Sequence, residues 1–297
     1  MTATLTRESV ASHFRYALSH PSAEPHPGLL LHKGLGQTAE DNNKTAKSQL
    51  IGQVCQIKAS GLYQRAYDRW QTATCSQAMS QRFASVTAGI EGRLYIGTER
   101  SNALETGITT HRSYGMPLIP GSAVKGNCRS HALAIGLAAK YAQWIFGNEW
   151  GGDSQKASPP RAEDSNADTG GALIFHDAWW EPGSGPAGKT QQPFAPEIIT
   201  PHHSAYHSSG GKTPATDFDS PIPAPQIATH GRFYFVIESR EPAASPATAS
   251  YLALARELLI ETLQHQGLGG KGSSGYGYFS PPAAQTAQTA QTAQTAQ

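Results

Sequence analysis

The chain has 297 residues, 38% of them hydrophobic, with 30 Gly, 20 Pro, 3 Cys and a formal charge of +1 at pH 7. That length fits one large domain or two small ones, and the Gly and Pro content implies many turns and long loops. A near-neutral balance excludes the strongly basic class of nucleic-acid binder. Cys55, Cys75 and Cys128 lack CxxC spacing and disulfide density, no early apolar run resembles a signal peptide, and no stretch reaches the length of a membrane span. A soluble cytoplasmic protein without a membrane partner is expected.

In chain order, residues 1 to about 37 are rich in Pro, Gly and His without a sustained period, and read as irregular. Asp41 to Ala84 holds no Pro and reads as two helices broken near Gly61. Phe83 to Thr98 alternates through Val86, Ala88, Ile90, Leu94 and Ile96, which predicts a strand pair or one bent strand. A helix opens at Gly121-Ser122, with Pro120 before it, Ser122 as its expected cap, and Val124, Cys128, Ala132 and Ile135 as its apolar stripe.

Gly151 to Gly171 is a polar loop, and Ala172 to Trp180 reads as a buried strand in which Trp179 and Trp180 serve the core or an interface rather than stack on bases. Glu181 to Thr229 is a proline-punctuated insertion with a short strand at Glu197 to Thr200. Arg232 to Glu238 is a strong strand, Thr248 to His265 an amphipathic helix, and Gly275 to Phe279 a last strand. The tail from Pro281 is mostly Ala-Gln-Thr triplets, which bury no core and predict disorder.

Without its insertions this order approximates β-α-β-β-α-β, so the expected class is α+β, ferredoxin-like (RRM-like), with two helices on one face of a sheet. Three segments follow: 1–82 as an irregular segment and extra N-terminal helices packed on the core, 83–280 as the ferredoxin-like domain with its insertion at 181–229, and the tail 281–297.

Two blocks carry chemistry. From Gly267 to Phe279 the sequence GLGGKGSSGYGYF places six glycines, Lys271, Ser273 and Ser274 between helix and strand. Bare backbone N–H groups beside a lysine suit phosphate oxygens. The order is helix–loop–strand rather than strand–loop–helix, and Gly272 follows Lys271 where a nucleotide loop needs Ser or Thr. A backbone-binding loop fits; a nucleotide-cofactor loop does not, and a plain tight turn stays open.

The second block is a helix start, IPGSAVKG, in which free N–H groups near Ser122, the helix dipole and Lys125 make a phosphate seat, with Arg129 on the same face. An ordinary capped helix with surface cations is the alternative. Around it, Arg82 to Lys140 carries seven Lys or Arg against Glu91, Glu99 and Glu105.

Together the blocks resemble the RAMP superfamily of CRISPR RNA-guided effector subunits, in which an IPGS-x-x-KG-x-x-R helix start precedes a C-terminal glycine-rich loop. The phrases TPHHSAYH and PATDFDSPIP, Thr200 to Pro223, are similar to the subunit-six type of type III-B (Cmr) complexes. The resemblance spans roughly Leu94 to Phe279. It implies a non-catalytic subunit that binds guide RNA toward its 3′ end, caps the filament of backbone subunits, and meets target RNA and other Cmr subunits. It implies RNA contacts at Ser122, Lys125, Arg129, Gly269, Gly270, Lys271, Gly272, Ser273 and Ser274, with no cofactor, and His111 and Arg112 are further candidate RNA contacts.

The alternative is a metal-independent endoribonuclease processing guide precursors, which needs a base for the 2′-hydroxyl and an acid for the leaving oxygen. His202, His203, Tyr206 and His207 are candidates, as are His111 and Tyr114. His203 and His207 would suit a metal on a helix, but Pro201 and the Gly/Ser flank argue against a helix there. Asp177, Asp217 and Asp219 are the remaining acids, and Asp177 reads as a structural hydrogen-bond acceptor.

Overall fold

A computed structural model describes residues 3–4, 6–20, 23–35, 37–38, 43–76, 79–98, 104–147, 170–200, 202–221, 223–240 and 246–280. The Ala-Gln-Thr tail and most of the polar loop from Gly151 lie outside the described residues.

The N-terminal stretch is ordered, against the irregular reading. Strand β1 (Ala3–Thr4) pairs antiparallel with β2 (Gln37–Thr38) around helices α1 (Glu8–Ser19) and α2 (Pro27–Lys33). Pro27 starts α2 rather than breaking it, because its missing N–H falls where a helix leaves donors unpaired. His26 caps that end by accepting the N–H of Leu29 at 3.1 Å, and Leu30 and Leu31 enter the core. Helices α3 (Asn43–Val54) and α4 (Gly61–Cys75) follow as expected, with Ser60 capping α4 through the N–H of Tyr63.

The central sheet is built on β9 (Arg232–Ser239). On one side β9 pairs antiparallel with β3 (Phe83–Gly89), Phe83 opposite Glu238. On the other it pairs with β5 (Leu173–Phe175) and β6 (Ala178–Trp180), and β6 carries the edge strand β4 (Leu118–Ile119). The single strand expected over Ala172 to Trp180 is therefore two, interrupted at His176 and Asp177.

Alternation along β9 separates two layers. Phe233, Phe235 and Ile237 join the main core with Val124, Cys128 and Ala132 of α5 (Gly121–Ala134) and Leu252, Ala255 and Leu259 of α8 (Pro246–Glu261). Tyr234 and Val236 point the other way, into a cluster with Tyr67 of α4. The Thr74 and Tyr234 hydroxyls lie 2.8 Å apart, and the Tyr63 hydroxyl donates to the Trp180 carbonyl at 2.6 Å. The sheet is thus covered on both faces, by α5 and α8 on one and by α4 on the other. Truncating Phe233 or Phe235 to Ala would cost about 3–5 kcal/mol.

The class is α+β with antiparallel sheets. Strands β3, β9 and β5/β6 have the spatial order of the first, third and second strands of a β-α-β-β-α-β unit, α5 and α8 being its helices. The last expected strand is reduced to an Ile90↔Phe279 bridge and a bond from the Ser280 N–H to the Gly89 carbonyl.

The insertion is not structureless. Its arms, β7 (Phe194–Ile199) and β8 (Ala224–Thr229), pair antiparallel and bury Phe194, Ala195, Ile227 and Ala228. The outer part holds α7 (Ser204–Ser208), and a second short helix, α6 (Ala139–Phe146), follows α5.

Candidate functional site

The glycine loop leaves α8 through a π-helical turn, Thr262–Gln266. Gly269 is bracketed by a bridge between Tyr95 and Gly270, and the Gly277 N–H donates to the Arg93 carbonyl. A Cβ on Gly269 would sit 2.0 Å from the Tyr95 carbonyl oxygen, and one on Gly277 2.0 Å from that of Leu268. Both also have positive φ, so these glycines are needed for the fold. Gly270 and Gly272 do not have positive φ, and a Cβ on Gly272 would meet open space.

Lys271 does occupy the left-handed region, at φ 62° and ψ 30°. A lysine there costs roughly 1–2 kcal/mol that glycine would avoid. It is exposed, makes no ion pair among the described residues, and precedes the 3₁₀ turn Gly272–Ser274 with Ser273 and Ser274 exposed. Strain held by an exposed cation in a rigid loop is a functional pointer.

Helix α5 starts close against the sheet. A Cβ on Gly121 would lie 2.1 Å from the Phe175 carbonyl oxygen. Pro120 takes the cap position, so Ser122 makes no cap bond and sits exposed in the first turn. Asp177 Oδ1 accepts the Gly121 N–H at 2.7 Å instead. The expected phosphate seat at this helix end is therefore partly filled by a carboxylate, and Asp177 has the structural role foreseen for it.

One turn in, burial holds Lys125 below its ordinary pKa, with the charges of Arg240 and Arg129 acting in the same direction. These three cations face one another, and Lys125 has no ion pair among the described residues. Sequence reasoning missed Arg240, which the end of β9 brings beside the helix. Gln266, at the loop's stem, donates to Ser130 at 3.1 Å, so both sequence blocks are anchored on α5. No interaction joins Lys271 to the Lys125 cluster among the described residues. Elsewhere in the basic segment, Arg82 is bound to Glu238 and Arg93 to Glu197.

His111 and exposed Arg112 lie in the turn between the paired residues Thr110 and Pro117, at the far edge of β4. His26 Nε2 bonds the Arg112 carbonyl at 2.9 Å. The His111 ring packs edge-on to Trp179 at 4.8 Å and against Tyr114 at 4.6 Å. Burial holds its pKa below the ordinary histidine value; the Asp177 charge raises it and His26 lowers it.

The insertion histidines do not join this region by any contact among the described residues. Against expectation, α7 is helical after Pro201, with His203 at its start in the left-handed conformation. His203 Nδ1 is engaged by Asp219 at 2.8 Å. No group of three His, Cys, Asp or Glu side chains suited to a metal occurs among the described residues.

A RAMP superfamily family model matches residues 90–280, which contain the helix start, the insertion and the glycine loop. The chain belongs to the RAMP superfamily. Among solved structures, this RAMP chain is similar to one in the cryo-EM structure of the Type III-B Cmr-beta bound to cognate target RNA. The TM-score is 0.54 at 20% identity, covering 91% of this chain and 86% of that one. It is also similar to Cmr6 from Pyrococcus furiosus (TM-score 0.35, 22% identity, 68% and 98% covered) and Cmr4 from the same organism (0.35, 12%, 67% and 96%). No curated protein matches the chain. Among the described residues no helix is long and apolar enough to cross a membrane.

Proposed function

We propose that this RAMP chain is a non-catalytic, RNA-binding subunit of a type III-B CRISPR effector in the cytoplasm. It binds guide RNA toward the 3′ end and caps the filament of backbone subunits, beside target RNA and other Cmr subunits. The observation that carries this reading is the fold shared over nearly its whole length with a chain of a Type III-B Cmr-beta assembly solved with cognate target RNA. The surface chemistry supports it: Lys125, Arg129 and Arg240 form one cationic group, and Lys271 with Ser273 and Ser274 forms another. His111 and Arg112 sit at the edge of β4, with Ser122 at the start of α5. Cations and bare N–H groups contact phosphates without reading sequence, so guide specificity comes from position in the assembly.

The runner-up, a metal-independent endoribonuclease, requires an acid and a base converging on one ribose. The insertion histidines make no contact with His111 or Tyr114 among the described residues, so the two candidate groups do not converge on one ribose, which favours the structural role. Incubating the purified protein with labelled guide precursor in EDTA tests the choice. RNA retention without cleavage, with co-purification of other subunits from the native host, is expected. Cleavage lost in histidine variants would overturn it.

A further inference from the structure

The break between β5 and β6 opens a cleft of about 360 Å³ on the α4 side of the sheet, lined by Trp70, His111, Phe175, His176, Asp177 and Trp179. That volume lies at the lower end of the ~300–1,000 Å³ of small-molecule sites. We propose that this cleft takes one nucleobase of a single-stranded RNA. The proposal rests on the RNA-binding reading above and names the part of the nucleotide that enters the protein.

The walls are aromatic and held in place. Trp179 stacks on Tyr63 with centroids 5.8 Å apart and planes 12° from parallel, and Tyr63 is itself buried. Trp70 meets His176 edge-on at 5.1 Å and Phe83 edge-on at 6.5 Å. His176 Nε2 is bonded to Glu238 at 2.8 Å, and Glu238 also accepts from Arg82, so this ring is a fixed wall. Partly buried rings held by their neighbours suit a base for stacking, since every base has a π-face.

The polar groups present a donor beside an acceptor. His111 Nδ1 accepts the Ser113 N–H at 3.1 Å, which leaves Nε2–H as the donor of a neutral ring. Asp177 spends Oδ1 on Gly121, and its second carboxylate oxygen remains an acceptor. Base edges carry this pairing of donor with acceptor. A phosphate does not suit the cleft, because a carboxylate and a neutral imidazole offer it no positive charge. Asp177 ties the cleft to the first residue of α5, and Lys125 lies one turn further along that helix, near Arg129 and Arg240.

The test uses the full chain labelled with ¹⁵N at its five tryptophan indoles, with Trp70 and Trp179 assigned by Trp→Phe substitution. Each of the four ribonucleoside 5′-monophosphates is titrated in turn, with ribose 5-phosphate as the base-free control. The Trp70 and Trp179 resonances are expected to shift saturably with at least one nucleotide and to stay still with ribose 5-phosphate. His111→Ala should weaken that binding about tenfold. Asp177→Asn keeps an oxygen for Gly121 but adds a donor, and should reorder the preference among the four bases at unchanged melting temperature. Equal shifts with ribose 5-phosphate, or still indoles with every nucleotide, would overturn the base site. Indoles that shift only when another Cmr subunit is added would overturn it in favour of a protein side chain. Lys271→Ala, measured in parallel for RNA retention, reports on the backbone reading alone, so either idea can fail without the other.

Discussion

Asp177 Oδ1 lies 2.7 Å from the backbone nitrogen of Gly121, so the sheet caps the helix that packs on it. The bond joins the β5–β6 break, and the cleft beside it, to the start of α5.

Asp177→Ala should therefore cost about 1 kcal/mol of stability, the value of a lost N-cap. Ser122→Ala should be close to neutral, since Ser122 makes no cap bond. Thermal melts of the two variants decide which residue caps α5.

Lys271→Ala should weaken RNA retention in the assembled complex by about 1–3 kcal/mol, through loss of one charge-assisted contact, and leave the fold intact. Lys271→Gly should lose the same contact yet melt higher, because glycine removes the left-handed strain. A lysine variant with unchanged RNA retention would make the loop a turn only.

The glycines of that loop should separate into two groups. Gly269→Ala and Gly277→Ala place a Cβ 2.0 Å from a carbonyl oxygen and should lower the melting temperature sharply. Gly272→Ala, which meets open space, should not. Calorimetry on the three variants checks the order.

Burial and the nearby Arg93 charge push His230 down to about 4. Its Nε2 bonds the Gln192 carbonyl at 3.0 Å, while Nδ1 is buried without a partner. Because the folded pKa lies below the unfolded value of about 6.5, His230 contributes full stability above that pH. The contribution falls as pH drops toward 4, where the unfolded chain binds the proton and the folded one resists it. Melting temperature followed from pH 7 to pH 4 should fall less steeply in His230→Gln than in the parent.

Replacing residues 207–218 by a short Gly-Ser bridge should leave the melting temperature unchanged, since this stretch contains the 96%-exposed Phe218 and lies outside the paired arms. Removing 186–192 should destabilise the fold. That segment supplies the Gln191 carbonyl to the Ala59 N–H and the Gln192 carbonyl to His230. Circular dichroism melts of both deletions test which is the periphery.

The sequence by itself determined the strong elements and the family. Strand β9, helices α3, α4, α5 and α8, and the two blocks at α5 and the glycine loop were all legible, because periodicity and glycine spacing are local signals. Other features were decided by the tertiary structure. Pro27 falls in a stretch that reads as irregular, yet it stands at a helix start, where the lost N–H costs little. The single strand at Ala172 to Trp180 divides in two because β9 pairs with each half separately. Trp180 is fully buried while adjacent Trp179 lines the cleft, a difference set by which face of a strand each residue takes. Arg240 beside Lys125, and Asp177 under Gly121, are pairs more than 50 residues apart in the chain. Local pattern specifies what a segment can form; only packing brings distant charges and rings to one surface.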